Sequence, residues 1–191
     1  MSKNDITPKS VNLLGSFDYA FHNTLGYEGE YSYDSDDRGG ETKYGITKTV
    51  FLQALSDSLF TSDTGLVKDL TVDQAKIIYK TYYWDKLKLN ELRHPLIAGE
   101  IFDTAVNMGR KAATLICQRS LNFLGEDLDE DGVMGKNTMN ALLKWEIKDT
   151  RALFVCLNGF QFQRYVAIVE GNSSQYKFAR GWTKRVQSYQ T

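Results

Sequence analysis

The sequence predicts a mainly α-helical protein, with two helical lobes around a cleft and a small β-hairpin beside it. Apolar residues recur at three- and four-residue spacing along most of the chain, as they do on the buried faces of helices. Only two prolines occur among 191 residues, fewer than the turns of an all-β protein usually need. With 42% hydrophobic and 25% charged residues, the composition is that of a globular protein. This length allows one sizeable core or two small lobes.

The first lobe, predicted over residues 12–95, begins with a helix over residues 12–27. Its apolar face is formed by Leu14, Phe17, Phe21 and Leu25. Residues 31–46 interrupt this pattern, and the glycine pair Gly39-Gly40 predicts a loop or a small hairpin. Two further helices are expected to start at capping residues, Thr47 for one and the Thr71…Gln74 capping box for the other.

The second lobe is predicted over residues 96–187, because His94-Pro95 interrupts the chain between two helical patterns. Gly109 is expected to stop the first helix of this lobe. The predicted helices cover residues 96–108, 111–124, 137–147 and 150–169. Cys117 and Cys156 fall inside apolar helical patterns and lack metal-ligand spacing, so we expect two buried thiols.

Two carboxylates in the first lobe have the arrangement of an acid–base pair. Glu28 lies where the first helix gives way to a glycine-containing turn, with Tyr27 and Tyr31 beside it in sequence. Aromatic surfaces remove water from a carboxyl group and raise its pKa, which suits a general acid at neutral pH. Asp37 follows across the turn. Glycosidases use such a pair of carboxylates on opposite sides of the scissile bond.

The same stretch resembles glycoside hydrolase family 108, the muramidase-type endolysins and their prophage relatives. The family signature is Glu-Gly-Gly-Tyr, then Asp-x-Gly-Gly-x-Thr-x-x-Gly-Ile. Here the first part is Glu28-Gly29-Glu30-Tyr31, with Glu30 in place of a glycine, and the second part runs complete from Asp37 to Ile46. Later blocks extend the resemblance over nearly the whole chain: Thr71…Asp85, Ile101…Gly109, Gln118-Arg119, Asp131…Thr138 and Phe178…Arg185.

The resemblance implies a lysozyme-like fold and an N-acetylmuramidase that hydrolyses the β-1,4 bond between N-acetylmuramic acid and N-acetylglucosamine. Its C-terminal lobe would be a predicted peptidoglycan-binding domain. Glu28 is then the proton donor. Asp37 is the best candidate for placing water or stabilising positive charge, and Thr42 is expected to help orient that water. No cofactor is implied.

A second group of residues is assigned to substrate binding: Tyr44, Tyr83, Trp84, Asp103 and Asn107. Tyr83 and Trp84 either stack on a sugar ring or belong to the core. Asp103 and Asn107 stand four residues apart on one helix face. They either bind sugar N-acetyl and hydroxyl groups or form a buried polar pair that ties the helix to its neighbours.

Charge and targeting signals predict where the protein acts. Lys177, Arg180, Lys184 and Arg185 form a basic C-terminal stretch without acids, which is either a surface for anionic envelope polymers or a solvated helix end. We expect no nucleic acid partner, no signal peptide and no membrane span. The family resemblance then implies storage in the host cytoplasm until holin pores allow release to the periplasm or cell wall.

The sequence leaves two other functions open and contains one segment that resembles an ion site. The chain could be a lytic transglycosylase acting on the same bond, or a non-catalytic wall-binding component of a phage tail or secretion apparatus. Asp127-x-Asp129-x-Asp131-Gly132 matches the opening of a calcium loop. Thr138 stands where that loop needs its bidentate glutamate, so we predict no metal.

Overall fold

Helix α4 (Pro95–Met108) is the central element of the computed structural model, which describes residues 16–25, 32–33 and 41–186. It packs against α1 (Ser16–Leu25), α5 (Arg110–Phe123) and α7 (Thr150–Gly171). Eight of its fourteen residues are buried. The remaining helices are α2 (Lys48–Ser56), α3 (Val72–Tyr79), α6 (Lys136–Lys148) and α8 (Tyr176–Thr183). The prediction of a mainly α-helical, lysozyme-like fold is confirmed.

The capping signals read from the sequence form as predicted. Thr47 accepts a hydrogen bond from the Val50 amide at the start of α2. Thr71 and Gln74 bond to each other's backbone amides at 3.2 and 2.9 Å, which completes the capping box of α3. Gly109 ends α4 with a φ of 85° that favours glycine, and α5 begins at the next residue. Local sequence therefore fixes where these helices start or stop.

A three-stranded antiparallel sheet forms the predicted hairpin region. Its strands β1 (Ser32–Tyr33), β2 (Glu41–Lys43) and β3 (Ile46–Thr47) lie in that order, and Thr42 pairs with Ser32 on one side and Thr47 on the other. Tyr44 and Gly45 connect β2 to β3 with φ values of 52° and 73°. Two positive φ angles in a two-residue loop match the twist of the flanking strands.

One apolar core extends across the predicted lobe boundary at residue 95. It runs from Phe17 in α1 to Leu157 in α7 without division, and α4 contributes to it on several sides. Glu146 of α6 accepts hydrogen bonds from the Arg93 and His94 amides, so α6 holds the segment directly before α4. The two lobes thus share a core, and Glu146 hydrogen-bonds across their boundary.

Helix α7 has the length and composition of a membrane span, although we expected no such segment. Its most apolar window has a mean hydropathy of 1.2, and a third of that window is buried. Core helices of globular proteins reach the same values. Leu153, Phe154 and Leu157 of α7 pack in the shared core. Of the two cysteines, Cys117 is fully buried as predicted, whereas Cys156 is only partly buried; both are free thiols.

Candidate active site

The hairpin carries the described part of the predicted catalytic set. Glu28 and Asp37 lie outside the described residues. Thr42 is half-buried in the central strand, where strands on both sides fix its backbone. The Thr42 backbone is therefore held in place from both sides, and its role in orienting water stays a prediction.

Tyr79 ties the hairpin to the helical core. Its hydroxyl donates a 3.0 Å hydrogen bond to the Tyr44 carbonyl oxygen. Its ring contacts Phe21 of α1 and Phe102 of α4, with centroids 5.9 and 6.1 Å apart. Burial raises the pKa of Tyr79, so the hydroxyl keeps its proton and remains a donor. Sequence analysis missed this link, because the two residues are 35 positions apart.

The two aromatic candidates after α3 have different environments. Trp84 is fully buried between Phe17 and Phe102, at centroid distances of 5.3 and 5.7 Å, and its indole N–H donates to Asn90. It presents no face to a sugar, so the stacking prediction for Trp84 is wrong. Tyr83 is half-buried and lines an open pocket, where stacking remains a prediction.

Asp103 is committed to partners inside the protein. It is 5% exposed, and its carboxylate accepts a 2.8 Å hydrogen bond from Arg185 Nη1 and a 3.4 Å bond from Gln161. The Thr24 side chain, near the end of α1, also hydrogen-bonds to it. Burial raises the pKa of Asp103, and Arg185 opposes that rise. These contacts support the polar-tie interpretation of Asp103.

Asn107 differs from Asp103, although both lie on α4. Its side-chain amide donates a 2.8 Å hydrogen bond to the Asp103 carbonyl oxygen one turn back, yet the residue is exposed. The predicted pair therefore does not meet through its side chains. Asn107 keeps a surface carboxamide that can face a ligand, and its role in substrate binding stays a prediction.

Glu100 lies one turn before Asp103 and was missed by sequence analysis. It is 2% exposed, and burial together with the nearby Asp103 carboxylate raises its pKa to about 8, with Asn158 acting in the opposite direction. Glu100 is therefore protonated at neutral pH. Its apolar neighbours Ile97 and Ile101 indicated a core-facing position, which was the only signal in the sequence.

The pocket beside Tyr83 has a volume of about 640 Å³ and lies between α2 and the turn that joins α4 to α5. Tyr82 lines it as well, and its hydroxyl donates a 2.6 Å hydrogen bond to Asp57. Arg110 and Lys111, the first residues of α5, reach the same pocket. The sequence signal for these two cations was their position directly after the helix stop at Gly109.

Two charged segments singled out in the sequence have structural roles. Asp131 accepts hydrogen bonds from Gln118 and from the Val133 amide, which close the turn that contains Gly132. Within the described ranges, no group of three His, Cys, Asp or Glu side chains could hold a metal ion. Arg185 is paired with Asp103, so it is not a freely exposed cation as predicted for the basic C-terminal stretch.

Comparisons with known proteins match both parts of the chain. Residues 21–109 match the model of glycosyl hydrolase 108, and residues 112–187 match the model of a predicted peptidoglycan domain. The solved structure of Brucella abortus SagA is similar, with a TM-score of 0.70 and 27% identity over 91% of this chain and 90% of that one. No curated protein matches the chain. The first match ends at the α4–α5 turn, so it includes the central helix that we had placed in the second lobe.

Proposed function

From the match of residues 21–109 to glycosyl hydrolase 108, we propose that the chain is a member of this family and that it hydrolyses the β-1,4 bond between N-acetylmuramic acid and N-acetylglucosamine. It is a lysozyme-type glycoside hydrolase with peptidoglycan as its partner. The observation that carries the specific proposal is the order of the two matches, a hydrolase segment followed by a peptidoglycan segment. The family signature at Glu28, Asp37 and Thr42 supports the same bond and the hydrolytic reaction.

Glu28 protonates the leaving glycosidic oxygen, and Asp37 places the attacking water or stabilises the developing positive charge. Thr42 helps to orient that water, which agrees with its fixed position in the central strand. Tyr44, Tyr83 and Asn107 contact the glycan. The Tyr79 hydrogen bond supports this assignment, because it holds the Tyr44 backbone against the helical core.

Glu28→Gln tests the proton donor directly. It keeps the shape of the side chain and removes the transferable proton, so the rate of wall degradation should fall by roughly three or more orders of magnitude. Glu30→Gln is the matched control, two residues away, and should retain most of the rate. A dead Glu30 variant beside an active Glu28 variant would reverse the assignment.

Mass spectrometry of fragments released from purified peptidoglycan tests the reaction type. Hydrolysis leaves reducing muramic acid ends, and Asp37→Asn should slow it strongly. Anhydro-muramic ends would instead identify a lytic transglycosylase, in which a hydroxyl of the substrate attacks. A zymogram on cell walls without any cleared band would identify a non-catalytic wall-binding component.

We also propose that the enzyme waits in the host cytoplasm until pores admit it to the wall. Lys177, Arg180 and Lys184 of the C-terminal stretch are exposed and would add weak attraction to anionic envelope surfaces. Expression in a host cell with and without a pore-forming holin tests the location. Lysis without any pore-forming partner would contradict it.

A further inference from the structure

Two open pockets meet at the turn between α4 and α5. The 640 Å³ pocket described above extends from α2 past Tyr82 and Tyr83 to this turn. A second pocket of about 370 Å³ lies on the other side and reaches the turn over residues 131–134. Arg110 and Lys111 border both pockets. We call the combined depression, with Lys86, Arg110 and Lys111 on its walls, the basic trench.

The positive charge of the basic trench exceeds the negative charge of the described groups around it. None of the ion pairs among the described residues involves Lys86, Arg110 or Lys111. The acid on the lining is Asp131, whose carboxylate already accepts two hydrogen bonds from the protein. Asp57 lies near the outer end, where it accepts hydrogen bonds from Tyr82 and Gln53, and Lys86 helps to lower its pKa. Arg110 and Lys111 thus face one engaged carboxylate on the lining, and Lys86 also faces Asp57.

Lys111 is held in place by the turn that it faces. Gly132 has a φ of 74°, and a Cβ atom there would come within 2.7 Å of Lys111 Cγ. The absence of a side chain at Gly132 therefore lets the Lys111 methylenes pack directly on the turn. Because the aliphatic part of the Lys111 side chain is already packed, its ammonium group loses less conformational entropy when a ligand binds in the trench.

The basic trench is connected to the hairpin. Tyr83 on its wall lies 5.6 Å, centroid to centroid, from the Tyr79 ring, and Tyr79 holds the Tyr44 backbone. The trench also lies at the junction of the two matched segments, which end at residue 109 and begin at residue 112. A ligand in the trench would contact both the hydrolase part and the peptidoglycan part of the chain.

We propose that the basic trench binds the acidic peptide stems that project from the muramic acid residues of peptidoglycan. This inference rests on the proposed function. In a peptide-bearing strand the lactyl carboxyl of muramic acid is joined to the stem by an amide bond, so the sugars are neutral. The free carboxylates are those of the peptide stems, which Arg and Lys recognise through charge-assisted hydrogen bonds. Tyrosine rings suit the mixed apolar and polar surface of a peptide. The enzyme therefore distinguishes peptide-bearing strands from bare glycan.

The test compares intact peptidoglycan with glycan strands from which an amidase has removed the peptides and in which the lactyl carboxylates freed by that cleavage have been converted to amides. Arg110→Gln/Lys111→Gln should raise the ratio of KM on peptide-bearing strands to KM on stripped strands by about tenfold relative to wild type. Arg164→Gln/Lys68→Gln removes the same two charges at exposed positions that line neither pocket and should leave the ratio unchanged. Thermal unfolding of each variant confirms that it is folded.

Binding to the two materials, measured by co-sedimentation, separates this proposal from the proposed function. If wild type binds both materials but hydrolyses neither, the proposed function fails while the binding ratio still tests the trench. An unchanged ratio in the Arg110/Lys111 variant, or an equal loss on both materials, would overturn the stem-peptide assignment. An excess of teichoic acid should leave the peptide-dependent binding intact if the trench recognises stem peptides. If teichoic acid displaces the enzyme completely from peptide-bearing walls, the trench is a general polyanion site.

Discussion

Charged residues are buried in the middle of helix α4 but exposed just beyond its C-terminal end, where α5 begins. In the middle, Glu100 and Asp103 are buried, one protonated at neutral pH and the other paired with Arg185. At the end, Arg110 and Lys111 follow Gly109 into solvent and form no ion pair among the described residues. Interior charges determine stability and its dependence on pH, whereas surface charges remain available to a ligand.

The largest expected change in stability comes from breaking the buried ion pair of Asp103 and Arg185. Asp103→Ala leaves Arg185 without its carboxylate and should lower the free energy of unfolding by about 3 kcal/mol, the low end for a broken buried pair because Arg185 is 33% exposed. Urea denaturation measures this loss. Asp103→Leu/Arg185→Met removes both charges and should recover most of it. If the single variant is as stable as wild type, the pair contributes nothing to stability.

The pH dependence of stability should isolate Glu100. The unfolded chain releases this proton near pH 4.5, whereas the folded protein holds it up to about pH 8. Between these values the unfolded state binds fewer protons, so the free energy of unfolding falls as pH rises, by up to about 1.4 kcal/mol per unit. The raised pKa of Asp103 acts in the same direction.

In the Glu100→Gln variant the side chain cannot ionise, so the free energy of unfolding should fall less steeply as the pH rises. Urea denaturation at pH 5, 6.5 and 8 would show this difference. The difference between the wild-type and variant profiles reports Glu100 alone. Parallel profiles would mean that the carboxyl group ionises as freely in the folded protein as in the unfolded chain.

A smaller effect is expected at the trench. Gly132→Ala places a side chain at a positive φ and against Lys111, so we expect a loss of about 1–2 kcal/mol and weaker binding to peptide-bearing walls. Gly65→Ala is the matched control, because Gly65 also has a positive φ of 64° but a Cβ atom there meets nothing within 4 Å. It should cost only the strain of that φ, about 1 kcal/mol, and leave wall binding unchanged. Equal effects of the two changes would refute the packing role of Gly132.

The smallest effect should come from the basic C-terminal stretch. Exposed charges on a surface helix contribute weakly and are screened by salt. Lys177→Gln/Arg180→Gln/Lys184→Gln should therefore reduce wall binding by less than about twofold at 0.15 M salt. Co-sedimentation at low and high salt measures this effect beside that of the trench variant. A larger loss than in the trench variant would make the C-terminal stretch the main binding surface.

Features that depend on neighbouring residues could be predicted from the sequence, whereas side-chain environments could not. Thr47, the Thr71–Gln74 box and Gly109 act within one helical turn, and each formed as expected. The burial of Trp84 depends on Phe17 and Phe102, which come from other helices. The Asp103–Arg185 contact spans 82 residues and leaves no local pattern. The basic trench likewise requires the α4–α5 turn and the turn at Gly132 to meet.

The hydrogen bonds that hold the segment before α4 and the buried ion pair within α4 have a consequence for synthesis on the ribosome. The Arg93 and His94 amides directly before α4 bond to Glu146, which is 53 residues beyond Arg93, and Asp103 needs Arg185. A nascent chain that has emerged only as far as α5 holds neither partner. The hydrolase segment therefore reaches its native state after translation has passed residue 185, so the enzyme becomes active as a whole molecule rather than one segment at a time.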